Sequence, residues 1–141
     1  MKVQEVLENY NSLKASITIV EGEIQELEAE VLDCRSANLD GMPKQKGFAG
    51  SNIETYVAEK QEKIEKKQRY IERTKTKLKI VEDLVKTLKK YNQDIIKARF
   101  YDMQSIEEIA TDKNRGYGAI QKTIDRSIRI MQKEYNKSKL S

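Results

Sequence analysis

Near the end of the chain Tyr117, Gly118, Gln121, Lys122 and Asp125 follow one another at steps that gather side chains on one side of a helix. Arg126, Arg129 and Lys133 continue the series. An amide, an ammonium group and a carboxylate in this order make no covalent chemistry, but they can read hydrogen-bonding edges. Glutamine matches adenine with two hydrogen bonds and lysine favours guanine, while arginines and lysines further along suit phosphate oxygens. Lys113 and Arg115, just upstream, add two more phosphate-directed cations. The expected base-reading set is therefore Tyr117, Gly118, Gln121, Lys122 and Asp125, and the expected phosphate set is Lys113, Arg115, Arg126, Arg129 and Lys133. Tyr117 is more often a packing or phosphate-contact residue than a base reader, and Gly118 would permit close approach of the backbone.

The rest of the composition excludes most alternatives. The 141 residues include no His and a single Cys, Cys34, so His-dependent acid–base and nucleophilic sites and Cys/His zinc sites have no residues to build them. No enzyme activity, metal or cofactor is expected. No run of apolar residues is long enough to span a bilayer and no secretory leader is evident, which predicts a cytoplasmic protein without a membrane partner. With 38% apolar and 35% charged residues, one Pro and no Trp, the chain suits long solvent-washed helices, and the expected class is all-α.

Those helices must position the C-terminal series. Val3, Val6, Tyr10, Leu13, Ile17, Val20, Ile24, Leu27 and Val31 alternate steps of three and four, with Cys34 next as a small buried hydrophobe. This is the spacing of a coiled-coil seam, which Gly22 weakens by only about 1 kcal/mol. Residues 35–51 have the content of a loop, with Met42-Pro43 at its centre. A second helix, capped at Ser51 or Asn52, is predicted from Ile53 to about Lys90. Its heptad positions Lys60, Lys67 and Thr74 are polar and need a partner that tolerates lysine. Residues 1–34 hold eight acidic and two basic residues, whereas residues 52–90 hold twelve basic and seven acidic ones. Folding back antiparallel would bring Glu21, Glu23, Glu26, Glu28 and Glu30 near the lysines. Residues 1–90 are thus expected to form an antiparallel coiled-coil hairpin, paired within one chain or between two, with a homodimer left open. The basic run Lys60 to Lys79 reads as a partner-facing helix before it reads as a second nucleic-acid surface.

Residues 91–141 differ in character. The stretch 92–101 is compact and aromatic-ended, with Ile95, Ile96 and Phe100 on one side. Ser105-Ile106-Glu107-Glu108-Ile109-Ala110 opens with a capping-box pattern, and a turn over 112–116 leads to a last helix with Ile120, Ile124, Ile128 and Met131 inward. A short helix, a tight turn and a longer helix form a helix-turn-helix pattern, whose second helix enters the DNA major groove.

On these residues, from Asp94-Ile95-Ile96 through Phe100-Tyr101, Ser105 to Ala110, Ile120, Ser127, Ile128 and Met131, the last 50 or so residues resemble region 4 of sigma-70-type factors. At the turn, Lys113 and Arg115 depart from the usual apolar residues, and Asn114 stands where Gly is common. With its N-terminal helix, Gly41-Met42-Pro43-Lys44 loop, long central helix and C-terminal helix-turn-helix, the chain is similar to the ArpU/RinA group of phage late-gene transcriptional regulators. That resemblance implies activation of packaging, structural and lysis genes, with promoter DNA and the RNA polymerase of a bacterial host as partners. Two alternatives stand beside it. One is a DNA-packaging adaptor of the small-terminase kind, although such subunits usually place the DNA-binding unit first. The other is a purely structural coiled-coil protein.

Overall fold

The structure is a computed structural model that describes residues 1–39 and 50–140, with side chains described for 1–36 and 53–139. Every element among the described residues is helical, so the protein is all-α. In chain order these are α1 (Val3–Glu8), α2 (Tyr10–Leu39), α3 (Gly50–Lys86), α4 (Lys90–Ile96), a π-helical turn (Lys97–Tyr101), α5 (Ile106–Lys113) and α6 (Tyr117–Leu140). No helix among them is long and apolar enough to cross a membrane.

Several boundaries differ from those read from sequence. The first helix is interrupted at Asn9, whose amide donates to the Glu5 carbonyl (2.8 Å) and whose backbone leaves the helical region. Asparagine competes for backbone groups in this way wherever a helix is locally weak. Arg35 to Leu39, expected as loop, continue α2. Residues 40–49 of that expected loop, including Met42-Pro43, lie outside the described residues, and Gly50 and Ser51 already belong to α3, which therefore begins ahead of the cap expected at Ser51 or Asn52. The second long helix stops at Lys86 and not at Lys90, because the Thr87 hydroxyl donates to the Leu84 carbonyl (2.6 Å) and the Gln93 amide donates to Leu88 O (2.7 Å) and Lys86 O (3.2 Å). These bonds satisfy carbonyls that a continuing helix would have used itself.

The chain divides into two compact units. One contains Met1–Lys14 with Lys75–Ser141, and the other contains Ala15–Thr74.

In the second unit, α2 and α3 touch at residues whose numbers run in opposite directions. Ser16 meets Tyr70 (hydroxyls 3.0 Å apart), Glu23 binds Lys67, and Glu30 binds Lys60 (2.8 Å). The two seam lysines thus find the glutamates predicted for them, and Thr74 is buried. Glu30 holds the Lys60 ammonium above its ordinary pKa, chiefly through their hydrogen bond. The apolar centre is small: Ile24, Ile64 and Ile71 are buried, with Ile17, Val20 and Leu27 half-covered around them.

The first unit has the larger core. Val3, Leu7, Val81, Val85, Ile95, Ile96, Ile109, Ile120, Ser127 and Met131 are all less than 2% exposed. Val3, Val6 and Tyr10 therefore serve a globular core together with Leu7, where the spacing of the first three had suggested a coiled-coil seam. Tyr10 stacks on Tyr101 with ring centres 4.1 Å apart, and its hydroxyl donates to Glu82 (2.7 Å). Burial and the Glu82 charge push the Tyr101 phenol up to about 12, and the Tyr10 phenol is raised further by burial and its bond to Glu82. The π-helical turn also departs from the simple helix expected over 92–101. It leaves Phe100 half-buried while Ile95 and Ile96 are wholly covered, and the carbonyls of Phe100 and Tyr101 accept from the Asn11 amide (3.4 and 3.0 Å).

Candidate nucleic-acid interface

The candidate interface comprises α5, the turn after it and α6. At the start of α5 the Ser105 hydroxyl accepts from the Glu108 amide (3.1 Å), the first half of the capping box anticipated from sequence. At its end Asn114 adopts the left-handed conformation (φ 53°). Its amide and that of Arg115 return to the carbonyls of Thr111 (3.2 Å) and Ala110 (2.9 Å). This closes the helix and reverses the chain in three residues, with asparagine standing in for the glycine usual at such a position. The Gly116 carbonyl accepts the Ile120 amide (3.2 Å) and begins α6.

The orientation of α6 is set by its buried side. Ile120, Ile124, Ser127, Met131 and Tyr135 face inward, so Ser127 occupies the core row and Ile128 lies half-buried at its margin, where sequence had put Ile128 in the row. Ile109 and Ala110 of α5 are buried in the same unit. The far end of α6 is held by Gln132, which accepts from the Val3 amide (2.9 Å) and donates to the Met1 carbonyl (3.2 Å). Sequence reasoning missed this support. Its one signal was Leu7, which with Val3, Val6 and Tyr10 widens the apolar stripe beyond a two-position seam.

With 3.6 residues per turn, the direction opposite the buried row carries Gly118, Lys122, Asp125, Arg129 and Lys133, with Arg126 beside them. All six are exposed, as are Arg115 in the turn and Tyr117, which is 54% exposed. From Lys122 to Lys133 the cations extend over about 16 Å of helix. Among the described residues Lys122, Arg126, Arg129 and Lys133 have no ion-pair partner, which leaves their charges open to an outside anion. Gln121 sits half-buried at the edge of this strip, and its amide donates to Asp125 (3.1 Å), tying two expected base readers together.

Lys113 is placed differently from the other expected phosphate contacts. It is half-buried, with its ammonium 4.0 Å from the Asp94 carboxylate and 5.7 Å from the centre of the Tyr91 ring. Its charge is used within the unit, tying α5 to α4. Among the described residues no three His, Cys, Asp or Glu side chains converge as metal ligands would. What the arrangement offers is a helix packed along one side, with an exposed cationic strip opposite and the Gln121 amide at the edge of that strip.

No protein-family model, curated protein or solved structure matches the chain.

Proposed function

We propose that the chain is a sequence-specific DNA-binding transcriptional activator. In this reading α5, the Asn114 turn and α6 are a helix-turn-helix that reads duplex DNA, and α2 with α3 is an antiparallel coiled-coil hairpin. The observation that carries the proposal is the exposed cationic strip of α6, set on a short capped helix by a left-handed turn. A helix held in this way can lay its first turns against base edges in the major groove while its later cations meet phosphates.

The resemblance to the ArpU/RinA regulators adds the setting. It supports control of phage late genes in the cytoplasm of a bacterial host, with promoter DNA and host RNA polymerase as partners. Homodimerisation through the coiled coil is the part of the expectation least needed by this reading, because α2 and α3 already pair within one chain. Sedimentation of the full chain with and without duplex tests it.

The central test is binding of the full chain to duplexes tiled across the DNA flanking its gene, at two salt concentrations. One tile is expected to bind at least about a hundredfold tighter than the others. Arg129→Ala should weaken binding to every tile and reduce the salt dependence by about one counterion. Adding the protein to host polymerase on the preferred tile should raise transcription, and no stimulation would remove the activator assignment. Uniform weak binding that vanishes with salt would instead favour the packaging or structural alternatives.

A further inference from the structure

The geometry points to thymine methyl groups as the feature that α6 reads: we propose that Tyr117 and Ala119 contact them in a site containing A·T pairs. The inference rests on the DNA-binding reading above and narrows it to a class of base.

The beginning of α6 exposes carbon where a surface helix ordinarily exposes charge. Tyr117 is 54% exposed and Ala119 is exposed as well. They flank Gly118, where an added Cβ would meet nothing within 4 Å, so the helix backbone is open to close approach there, with Tyr117 leaving the helix on the Gln121 side and Ala119 on the Lys122 side. From Tyr117 through Thr123 the one charged residue is Lys122. The Thr123 hydroxyl donates back to the Ala119 carbonyl (2.9 Å) and so spends its proton within the helix.

The polar group one turn beyond Tyr117 agrees with this reading. Because Gln121 donates one amide hydrogen to Asp125, its side chain is held in place with its oxygen and second N–H still available. A donor beside an acceptor complements the N7 and N6 amino groups of adenine. Arginine, the usual reader of guanine, does not occur between Tyr117 and Asp125, and Arg126 and Arg129 begin more than two turns into the helix. The 5-methyl of thymine is the one apolar group that the major groove offers on a base edge. An exposed methyl and an exposed ring gain by covering it, whereas against guanine or cytosine they leave polar atoms unpaired.

The test begins by selecting duplexes from a randomised pool for retention by the full chain. Affinity is then measured for the selected duplex with thymidine and with deoxyuridine in its place, which removes only the methyl groups. Deoxyuridine is expected to weaken binding about fourfold for each contacted methyl. In Ala119→Gly or Tyr117→Ser the ratio between the two duplexes should move toward one, a readout that does not depend on how much variant protein is folded. Equal affinity of the unaltered chain for both duplexes, or selection of sites with only G·C pairs opposite α6, would overturn the inference while leaving DNA binding in place. Failure to enrich any duplex over the starting pool would overturn both readings together.

Discussion

The two units solve the same problem, holding long charged helices in place, with different materials. Unit Ala15–Thr74 relies on three buried isoleucines and on glutamate–lysine pairs at the flanks of its seam. The other unit draws apolar side chains from α1, the end of α3, α4, α5 and α6 into a core with many residues below 2% exposure. Burial is worth roughly 25 cal/mol per Å² of apolar surface, whereas an exposed ion pair contributes about 0.2–1 kcal/mol. The difference teaches that apolar burial is concentrated around α6, while the paired helices depend more on charge for their alignment.

The comparison is broken most severely from inside the larger core. Ile120→Ala should cost about 3–5 kcal/mol in urea unfolding, because the side chain is wholly buried and its cavity is enclosed. Ile71→Ala, 8% exposed in the smaller core, should cost less, about 2–3 kcal/mol. Equal losses would mean that the two units are equally well packed.

An intermediate effect concerns pH. Tyr101 ionises at about 12 in the folded protein and at about 10 when unfolded, and Tyr10 is raised in the same direction. The unfolded chain therefore loses these protons first. Their contribution to stability is complete below pH 10 and is lost as pH climbs toward 12. The denaturation midpoint should fall over that interval, and Tyr101→Phe should make the fall shallower. At neutral pH the same variant should cost little, since the buried Tyr101 hydroxyl has no hydrogen-bond partner among the described residues.

The smallest expected change is in the paired helices. Glu23→Gln should cost about 0.2–1 kcal/mol at low salt and almost nothing in 1 M salt, measured by thermal unfolding of the full chain. A salt-independent loss would show that Glu23 acts through packing of its stem and not through its charge.

How much of this was legible in the sequence depended on whether the signal was local. Ser105 and Glu108, three residues apart, specify a helix start wherever they fall, and the asparagine at position 114 advertises its tolerance of positive φ. The lysines at 60 and 67 announced glutamate partners because like charges cannot share a seam. Val3, Val6 and Tyr10 were ambiguous, because steps of three and four describe the buried side of a globular helix as well as a coiled coil. The π-helical turn left no trace in residue type, and the diversion of Lys113 toward Asp94 and Tyr91 depends on how α4 meets α5. On the outward strip of α6 the alternation with the buried row could be counted from sequence, but the tie between Gln121 and Asp125 required coordinates.

The bond between Val3 and Gln132 also sets an order of events during synthesis. Its partners are 129 residues apart, whereas Glu23 and Lys67 are separated by 44. At about 5–20 residues per second, α1 waits on the order of ten seconds for the helix that will cover it. The pairing of Glu23 with Lys67 has both partners available much earlier. A nascent chain arrested before Gln132 would carry Val3 and Leu7 uncovered, a handle for chaperones and a liability for aggregation that disappears once α6 emerges.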